Sequence, residues 1–490
     1  MILAIDLGSS QIKLLAMDGE GEVKWVEAVP YETEAPRPGW LQQDPFRWEA
    51  AMKEGFSRLA GKVDLKDVEV VSFSGHMSGV VLVDRDGRAL YPCVMLSDLR
   101  SGQECKTLRE IFGDELERAT GNPLIQAFSL PKLLWLKHHE PQVYGKAFRW
   151  LPPKDYLRFC LTGEFGTEAT DAWNSLCLDR DTRQWREDVI RESGIRRELF
   201  PQVGEPYEAA GRVTREAALW SGLREGTKVV FGGADMACGA VGNGLFETGE
   251  STLTLGTCAT FLTMVEGIRR DAAGKITFHT HVLPGKMYGL GSHFNGGLAV
   301  NWLARLLSPD ETVDYDEIAR LSEEAGKVEP GSLGVLTIPF LAGSGSPHFD
   351  DRDRQMILGL SGAVTRAVLF RSQLEGVAYN LRETLEIFEG IVGERMERIV
   401  LGGGGVNVGI WPQIICDVFD RTFSQAQNPD ASGVGAAYLG GYGAGIFSDL
   451  EAVSRKGLRI QRILGPIEEN RRVYDEGYEA YRGAYGRWKG

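Results

Sequence analysis

Several features that mark common protein classes are missing from this chain of 490 residues. Basic residues are outnumbered by acidic ones: the chain has 54 Lys and Arg and 68 Asp and Glu, which gives a formal net charge of −14. This argues against a general nucleic-acid binder, whose phosphate contacts need basic patches. No apolar run approaches the roughly 18 residues that cross a membrane, and no basic, cleavable leader precedes the first strand. We therefore expect a cytoplasmic protein with neither nucleic acid nor membrane as a partner.

Cysteine is scarce and scattered along the chain. The seven cysteines contain no Cys-x-x-Cys pair, which excludes the usual zinc and redox spacings and fits reduced thiols. His279 and His281 would place two ligands on one strand face, but core or surface histidines are commoner, so we assign no zinc. Two nucleotide-binding signatures are absent as well. The chain has no Gly-x-Gly-x-x-Gly fingerprint, and no Gly-Lys pair is followed by Ser or Thr.

A different kind of phosphate turn opens the chain. The apolar, strand-like residues 2–7 contain Asp6, a carboxylate that is costly there unless a metal, a cation or hydrogen bonds satisfy it. The turn that follows carries Gly8, Ser9, Ser10 and, further on, Lys13. Flexible backbone, two hydroxyls and an amine together suit a phosphate and its counter-ion. The alternative is that Asp6 simply caps a turn.

The same pattern returns some 250 residues later, where strand-like residues 251–255 precede Gly256 and Thr257. Each copy continues with more β-type sequence and then an amphipathic helix. Such self-similarity indicates two copies of one unit, whose turns would bind a polyphosphate through backbone N–H groups. We predict an α/β protein of two lobes with mixed sheets and a central cleft, divided into residues 1–246 and 247–490, with a helical insertion near 100–220.

The alternation of apolar residues and the turn signals predict individual elements. Strands are expected near 2–7, 11–17, 22–28, 68–73, 251–255, 258–265, 287–291 and 397–401. Asp44 and Pro45 predict a helix start, with Asp as N-cap and Pro at the first helical position. Further helices are expected near 296–307 and 363–388, and two more after residue 405.

Asp235 is the strongest candidate for a catalytic residue. It follows a strand-like run at 228–231 and lies among small residues, which leaves room for a substrate. A carboxylate there would accept the proton of an attacking hydroxyl or orient that hydroxyl. An N-cap role for the next helix is about as common on position alone, and the paired phosphate turns favour catalysis.

Three further segments suit ligand binding. The polar residues 74–79 lie between two strands and would line a pocket for a polar substrate or form a plain loop. Asp98 and Arg100 would bind hydroxyls or form a surface ion pair, the second being commoner in general. The glycines at 402–405, followed by Asn407, would let a flat ligand lie on bare backbone.

Taken together, these residues resemble the FGGY family of carbohydrate kinases over essentially the whole chain. The matching positions are residues 6–13, the glycine-rich segment around Asp235, Leu255-Gly256-Thr257, and Gly402-Gly403-Gly404 with Trp411, Gln413, Ile414 and Asp417. The resemblance implies a duplicated actin-like, ribonuclease-H-like fold that closes on ATP and a sugar. It also implies that Asp235 is the catalytic base and that Asp6, with Asp235, holds Mg²⁺. The expected ATP contacts are Gly8, Ser9, Ser10, Lys13, Gly256, Thr257, Gly402, Gly403, Gly404 and Asn407.

Within that family, residues 74–79 are most similar to the xylulokinase segment Ser-Gly-Gln-Met-His-Gly. His76 stands in place of the Gln, and Ser78 in place of the sugar-binding His. Met236 replaces the Asn that follows the catalytic Asp, and Leu96 replaces a Trp. These differences leave the reaction class intact and put D-xylulose itself in question. The expected sugar contacts are Met77, Ser78, Gly79, Met236, Asp98 and Arg100.

The leading hypothesis is an ATP-dependent kinase of a small sugar, xylulokinase-like, or of another ketose, polyol or aldonate such as gluconate or erythritol. The rival from another class is a regulator that binds sugar or nucleotide without transfer, but such a sensor needs neither Asp6 nor Asp235. A chaperone or cytoskeletal ATPase of the same general fold explains neither residues 74–79 nor the insertion at 100–220. Members of the family are often dimers, so a homodimer is also an expectation.

Overall fold

The computed structural model describes residues 1–308, 314–341, 343–427 and 430–489. The strands are β1 Ile2–Leu7, β2 Gln11–Met17, β3 Val23–Pro30, β4 Gln42–Gln43, β5 Val70–Gly75, β6 Val81–Val83, β7 Cys93–Val94, β8 Arg149–Leu151, β9 Thr167–Glu168, β10 Val203–Gly204, β11 Ala209–Arg212, β12 Lys228–Val230, β13 Gly233–Ala234, β14 Ser251–Leu255, β15 Ala259–Val265, β16 Thr277–Thr280, β17 Met287–His293, β18 Leu336–Ile338, β19 Met356–Leu358, β20 Arg398–Gly402, β21 Thr422–Ala426 and β22 Ile460–Leu464. The helices are α1 Pro45–Leu59, α2 Gly102–Phe112, α3 Glu115–Thr120, α4 Ser129–His139, α5 Pro141–Lys146, α6 Pro153–Thr162, α7 Ala169–Trp173, α8 Glu187–Glu192, α9 Arg215–Ser221, α10 Asp235–Gly242, α11 Gly297–Leu307, α12 Tyr315–Gly326, α13 Arg366–Val392, α14 Trp411–Phe419, α15 Ala431–Ala444, α16 Leu450–Gly457 and α17 Glu468–Lys489.

The chain forms two compact units. The first contains residues 1–246 together with the later segments 279–287 and 430–458, and the second contains the remaining described residues from 247 onward. The expected division into 1–246 and 247–490 assigned the segments 279–287 and 430–458 to the second lobe, whereas here they belong to the first unit. The larger of these segments carries α15 and α16, and α15 packs on strands of the first unit.

The first unit is built on a mixed sheet with the strand order β11-β12-β5-β1-β2-β3, in which β13 also pairs with β5. Strands β1, β2 and β3 are antiparallel neighbours, whereas β5 runs parallel to β1 and to β12. Alternate residues of β1 point to opposite faces. Leu3, Ile5 and Leu7 join the core beneath α1, which contributes Trp48 and Phe56.

The second unit repeats this order with different strands. Its sheet runs β16-β17-β15-β14-β20-β21-β22. Strand β14 pairs antiparallel with β15 and parallel with β20, as β1 does with β2 and β5. Strand β21 runs parallel to β20, as β12 does to β5. The duplication predicted from the two Gly-hydroxyl turns is thus present in the topology, and the mixed α/β fold of two sheet-containing units is confirmed.

Helix α15 covers the opposite face of the first sheet at very short range. A Cβ at Gly435 would lie 1.8 Å from the Cys238 carbonyl oxygen of α10, and one at Gly440 would lie 2.9 Å from Ser72 of β5. The glycines of α15 are therefore needed for close backbone packing rather than for flexibility.

The predicted elements agree with the structure where periodicity is strong. Asp44 caps α1 by accepting a hydrogen bond from the Phe46 amide, with Pro45 at the first position, as expected. The predicted helix at 363–388 is α13, and the strands predicted at 251–255 and 258–265 are β14 and β15. Two more helices were expected after residue 405, but the described residues there hold α14 to α17 and two strands. The insertion near 100–220 is mainly helical and includes short strands.

Two expected absences can be compared with the described part of the chain. No helix there is long and apolar enough to traverse a lipid bilayer. All seven cysteines are free thiols, and Cys258 is exposed.

The close packing of α15 on α10 predicts a contrast between two glycine substitutions. Gly435→Ala should lower stability by about 1–3 kcal/mol, because its Cβ meets backbone that cannot move aside. Gly239→Ala, in α10, meets nothing within 4 Å and should raise stability by up to about 1 kcal/mol through helix propensity. The midpoint of thermal unfolding of each purified variant measures this. Equal midpoints for both variants would contradict the packing described for α15.

Candidate functional site

Polar side chains gather where three neighbouring strands of the first unit end. Asp6 of β1 is paired with Ser74 of β5, and Ser74 is paired with Gly233 of β13. Asp235 follows β13 at once and is the first residue of α10. Since β1, β5 and β13 run parallel, their carboxyl ends lie at one edge of the sheet. The fold therefore brings Asp6 and Asp235, far apart in sequence, to the same edge.

The chain reaches Asp235 through a constrained glycine. Gly232 has a φ of +76°, and a Cβ on it would lie 1.8 Å from the Phe73 carbonyl oxygen. The N-cap of α10 is Ala234, so the alternative in which Asp235 caps this helix is wrong. The Asp235 side chain, partly exposed, accepts a hydrogen bond from the Met236 amide at 2.8 Å.

The protonation of Asp235 is set by its surroundings. Burial raises its pKa to about 7, and the negative charge of Asp6 adds to the rise. A carboxyl group with a pKa near neutrality suits general acid–base chemistry at physiological pH.

Asp6 is buried and incompletely satisfied. Burial raises its pKa, Asp430 raises it further, and Ser74, Lys13 and Ser432 lower it. Its Oδ2 accepts a hydrogen bond from the Ser432 hydroxyl at 2.9 Å, while Oδ1 has no partner among the described residues. Asp6 lies within strand β1, so the alternative of a turn cap is wrong. A buried carboxylate oxygen without a partner is the kind of atom that a cation or a ligand hydroxyl satisfies.

The donor set around Asp6 fits Mg²⁺ that arrives with phosphates. No group of three or more His, Cys, Asp or Glu side chains in the described residues is arranged as a complete metal site. Mg²⁺ is typically held by one or two carboxylates, water and substrate phosphates rather than by a protein cage. Asp6 and Asp235 supply two carboxylates of this kind.

In the first Gly-hydroxyl turn the backbone carbonyls accept hydrogen bonds from protein side chains, whereas Ser9 and Ser10 are exposed to solvent. The Gly8 carbonyl accepts from the Tyr31 hydroxyl, and the Ser9 carbonyl accepts from Gln43 at 2.7 Å. The Ser9 and Ser10 amides donate to no group in the described chain. Lys13, on β2, forms an ion pair with Asp430 at 2.6 Å. This turn therefore has free N–H donors beside a fixed amine.

The second unit assembles the other expected ATP contacts. Gly256 and Thr257 connect β14 to β15, and the carbonyls of both accept amides from the start of α11, at 2.8 and 2.9 Å. Gly403 has a φ of +84° and lies so close that a Cβ on it would be 2.5 Å from the Leu255 carbonyl oxygen. The structure thus places Gly256 and Thr257 beside the glycines at 402–404, at the ends of the parallel strands β14 and β20. Asn407 ends the short 3₁₀ helix that follows and is exposed.

The expected sugar-binding residues 77–79 are buried and rigidly held in the first unit. Ser78 has a φ of 64°, unusual for a residue other than glycine. Its carbonyl accepts hydrogen bonds from Lys132 Nζ at 2.9 Å and from the Ser129 hydroxyl at 3.1 Å. A Cβ at Gly79 would lie 2.5 Å from Pro153, so a glycine is required there. The Ser78 hydroxyl is buried and has no partner in the described residues.

Two basic groups near this segment have pKa values lowered by burial. The pKa of Lys132 falls to about 7 and that of His76 to about 4, so His76 is neutral at pH 7. The His76 ring packs edge-on against Trp48 with centroids 5.5 Å apart, and neither ring nitrogen has a partner among the described residues.

Asp98 and Arg100 form a buried ion pair, which corrects the alternative of a surface pair. Both side chains are inaccessible to solvent, and two guanidinium nitrogens donate to the carboxylate at 2.8 Å each. The carboxylate also accepts the amides of Leu41 and Arg100, and the guanidinium lies 4.0 Å from the Trp40 ring centroid. Their polar groups are thus engaged within the protein, which leaves little capacity for a sugar hydroxyl.

Sequence reasoning missed several residues of this site. Lys132 lies in the apolar run of α4, where an isolated amine is as costly as the Asp6 carboxylate, so the same argument would have found it. Asp430 and Ser432 carry no such signal, because only the fold brings the start of α15 to β1. Thr170 is a further missed residue: its hydroxyl accepts the Ala234 amide at 2.9 Å.

Known proteins resemble this chain over its whole length. The N-terminal domain of the FGGY family of carbohydrate kinases matches residues 1–242, and the C-terminal domain matches residues 252–444. The xylulose kinase of Bacillus subtilis (strain 168) is 32% identical over 486 residues, which cover 99% of this chain and 96% of that protein.

Solved structures agree with this similarity. The crystal structure of xylulose kinase from Rhodospirillum rubrum superimposes with a TM-score of 0.89 at 27% identity. The match covers 99% of this chain and 98% of that protein. The gluconate kinase from Lactobacillus acidophilus has a TM-score of 0.91 at 22% identity, with 99% and 97% covered, and supports the fold alone.

Proposed function

We propose, on the premise that this chain belongs to the FGGY family of carbohydrate kinases, that Asp235 is the catalytic base of its transfer reaction. The chain is an ATP-dependent, xylulokinase-like kinase of a small sugar hydroxyl. The finer proposal concerns the acceptor, a small ketose, polyol or aldonate, with D-xylulose a weak or second-choice acceptor. One observation supports the site above all: two carboxylates stand at the carboxyl ends of β1 and β13, the parallel strands on either side of β5, each with a raised pKa.

In this proposal Asp235 orients the attacking hydroxyl and accepts its proton. Its pKa near 7 lets it exist as the carboxylate at physiological pH and still bind a proton during transfer. Phosphoryl transfer needs little covalent help from the protein, so positioning and charge stabilisation supply most of the catalysis.

Asp6 and Asp235 would hold Mg²⁺, and each Gly-hydroxyl turn is a proposed phosphate contact within its own unit. The partnerless Asp6 Oδ1 and the free amides of Ser9 and Ser10 support this assignment. Mg²⁺, when bound, supplies positive charge to the phosphate oxygens. In an acidic protein that charge must be supplied locally, and Lys13 adds one fixed amine. Gly256, Thr257, Gly402, Gly403, Gly404 and Asn407 are the proposed contacts of the nucleotide in the second unit.

The sugar side of the proposal rests on residues 77–79 and Met236. Lys132 and Ser129 hold the Ser78 backbone, so its hydroxyl has one fixed position from which to bind a substrate hydroxyl. Ser78 and Met236 replace the longer His and the amide of xylulokinases, and at least one substrate contact must therefore differ. Asp98 and Arg100 stabilise the adjacent backbone at Leu41 rather than contact the sugar, because each is fully engaged with protein groups.

We also propose a cytoplasmic location, since all seven cysteines are free. The homodimer stays a prediction.

The base assignment predicts a loss of turnover in Asp235→Asn. The amide keeps the volume and removes the proton acceptor, so kcat should fall by roughly 10²–10⁴-fold while ATP affinity changes little. ADP release measured over ketopentoses, pentitols, tetritols and aldonates identifies the best acceptor, and the variant is compared with wild type on it. Near-normal turnover by Asp235→Asn would contradict the proposed base. No acceptor-dependent ADP release by wild type would favour the binding regulator instead.

The sugar-side differences predict a switch in preference. Ser78→His combined with Met236→Asn restores two groups able to bind hydroxyls, and should raise kcat/KM for D-xylulose relative to the best wild-type acceptor. Discrimination through buried polar contacts is strong, whereas an apolar contact supplies only about 1–3 kcal/mol. The ratio of kcat/KM for the two acceptors measures the effect. Efficient wild-type turnover of D-xylulose, unimproved by the double change, would show that other residues set specificity.

A further inference from the structure

The backbone amide just before Asp235 is held by the side chain of Thr170, to which the proposed function assigns no role. Thr170 Oγ1 accepts the hydrogen bond of the Ala234 amide at 2.9 Å and donates to Glu168 Oε1 at 2.8 Å. Both bonds are buried in the first unit. One hydroxyl therefore connects the start of α10 to the short helix α7.

The far side of this connection is anchored by a buried charge cluster. Glu168 accepts the amides of Thr170 and Asp171 at 2.7 and 3.0 Å and so caps α7. Lys154 Nζ lies 3.2 Å from Glu168, 3.1 Å from Asp155 and 3.2 Å from Asp171, with all four side chains buried. Several charge-assisted contacts converge on Glu168, and this fixes the acceptor of the Thr170 hydroxyl.

Thr170 holds the one stretch of backbone that neighbouring contacts leave open: β13 pairs with β5 and α10 packs on α15, and the Ala234 amide between them binds the Thr170 hydroxyl. Strand β13 has only two residues, Gly233 and Ala234, and it follows the sharp bend at Gly232. The hydrogen bond that the Asp235 carboxylate accepts comes from the adjacent Met236 amide, which moves with it. A shift of the Ala234 backbone would therefore carry the Asp235 carboxylate with it.

We propose that Thr170 is a positioning residue for phosphoryl transfer: its hydroxyl fixes the Ala234 amide and thereby directs the Asp235 carboxylate at the acceptor hydroxyl. The inference rests on the proposed role of Asp235. A base displaced by a fraction of an ångström loses rate far more than substrate affinity, because proton transfer requires the exact position of Asp235, whereas most binding contacts come from other residues.

The experiment compares Thr170→Val, which keeps the shape and removes the hydroxyl, with Thr170→Ser, which keeps the hydroxyl. Thr162→Val is the matched control. Thr162 is also buried, and its hydroxyl also accepts a backbone amide, from Glu164, and donates to a carbonyl, that of Arg158, within its own helix and turn. Should Thr170→Val fail to fold, Thr170→Ala takes its place. The readouts are kcat, KM for ATP and for the acceptor, and the midpoint of thermal unfolding.

We expect kcat of Thr170→Val to fall about 10- to 100-fold with both KM values nearly unchanged. Thr170→Ser should recover most of the loss. Thr162→Val should keep wild-type kcat even where it lowers the unfolding midpoint as much. A Thr170→Val enzyme whose kcat matches that of Thr162→Val would overturn the inference, since the hydroxyl would then matter for folding alone.

A double variant tests whether Thr170 acts through Asp235. Adding Thr170→Val to Asp235→Asn should cost no further rate, because the base whose direction it sets is already gone. A full additional loss in the double variant would also overturn the inference. The outcome for the proposed function is separate. If Asp235→Asn alone is fully active, the catalytic assignment fails. If it is inactive while Thr170→Val is not impaired, only the inference fails.

Discussion

The structure depends on confining negative charge at the edge where β1, β5 and β13 end. Asp6 and Asp235 lie at the ends of strands that are otherwise apolar. Burial raises the pKa of both carboxyl groups, and the charge of Asp6 raises that of Asp235 further. Such charge is tolerable only with partners. Lys13, paired with Asp430, and the Ser432 hydroxyl supply part of this compensation, and both Asp430 and Ser432 belong to a segment that returns from late in the chain. The remaining demand, at Asp6 Oδ1, fits a cation delivered with a nucleotide.

The surrounding architecture meets this demand by close backbone packing. Glycines of α15 let it approach α10 and β5 at distances that no side chain would permit, and this brings Ser432 to Asp6. Gly232 likewise allows the backbone that leads to Asp235 to lie directly against that of Phe73. In the second unit, Gly403 brings the 402–404 segment onto the turn at Gly256. The glycines of α15, Gly232 and Gly403 therefore permit the close backbone contacts around the candidate site.

The sequence was informative where a residue type conflicted with its surroundings or where a pattern repeated. Asp6 in an apolar strand and the second Gly-hydroxyl turn were enough to predict the duplicated α/β fold and a phosphate-binding function. Asp235 was found from its small neighbours. Spacing alone did not distinguish a surface pair from the buried pair of Asp98 and Arg100, because burial there depends on aromatic rings distant in sequence.

Residues that act through long-range contacts were beyond the sequence. Thr170 lies 64 residues from the amide that it binds, and Ser432 lies 426 residues from Asp6. The return of residues 430–458 to the first unit could not be predicted either, since the glycine-rich run at 433–445 does not indicate which sheet it packs against. Such contacts become visible only when the strand order and the packing of α15 are known.

Asp6 and Asp235, if they serve transfer of the ATP γ-phosphoryl group to a sugar hydroxyl, must yield a phosphorylated acceptor. Phosphorus-31 NMR of the purified protein with ATP, Mg²⁺ and the preferred acceptor follows the fate of that group directly. We expect a new phosphomonoester resonance that grows in step with ADP and requires the acceptor. Release of inorganic phosphate in place of the phosphomonoester, at the same rate with and without acceptor, would contradict this role.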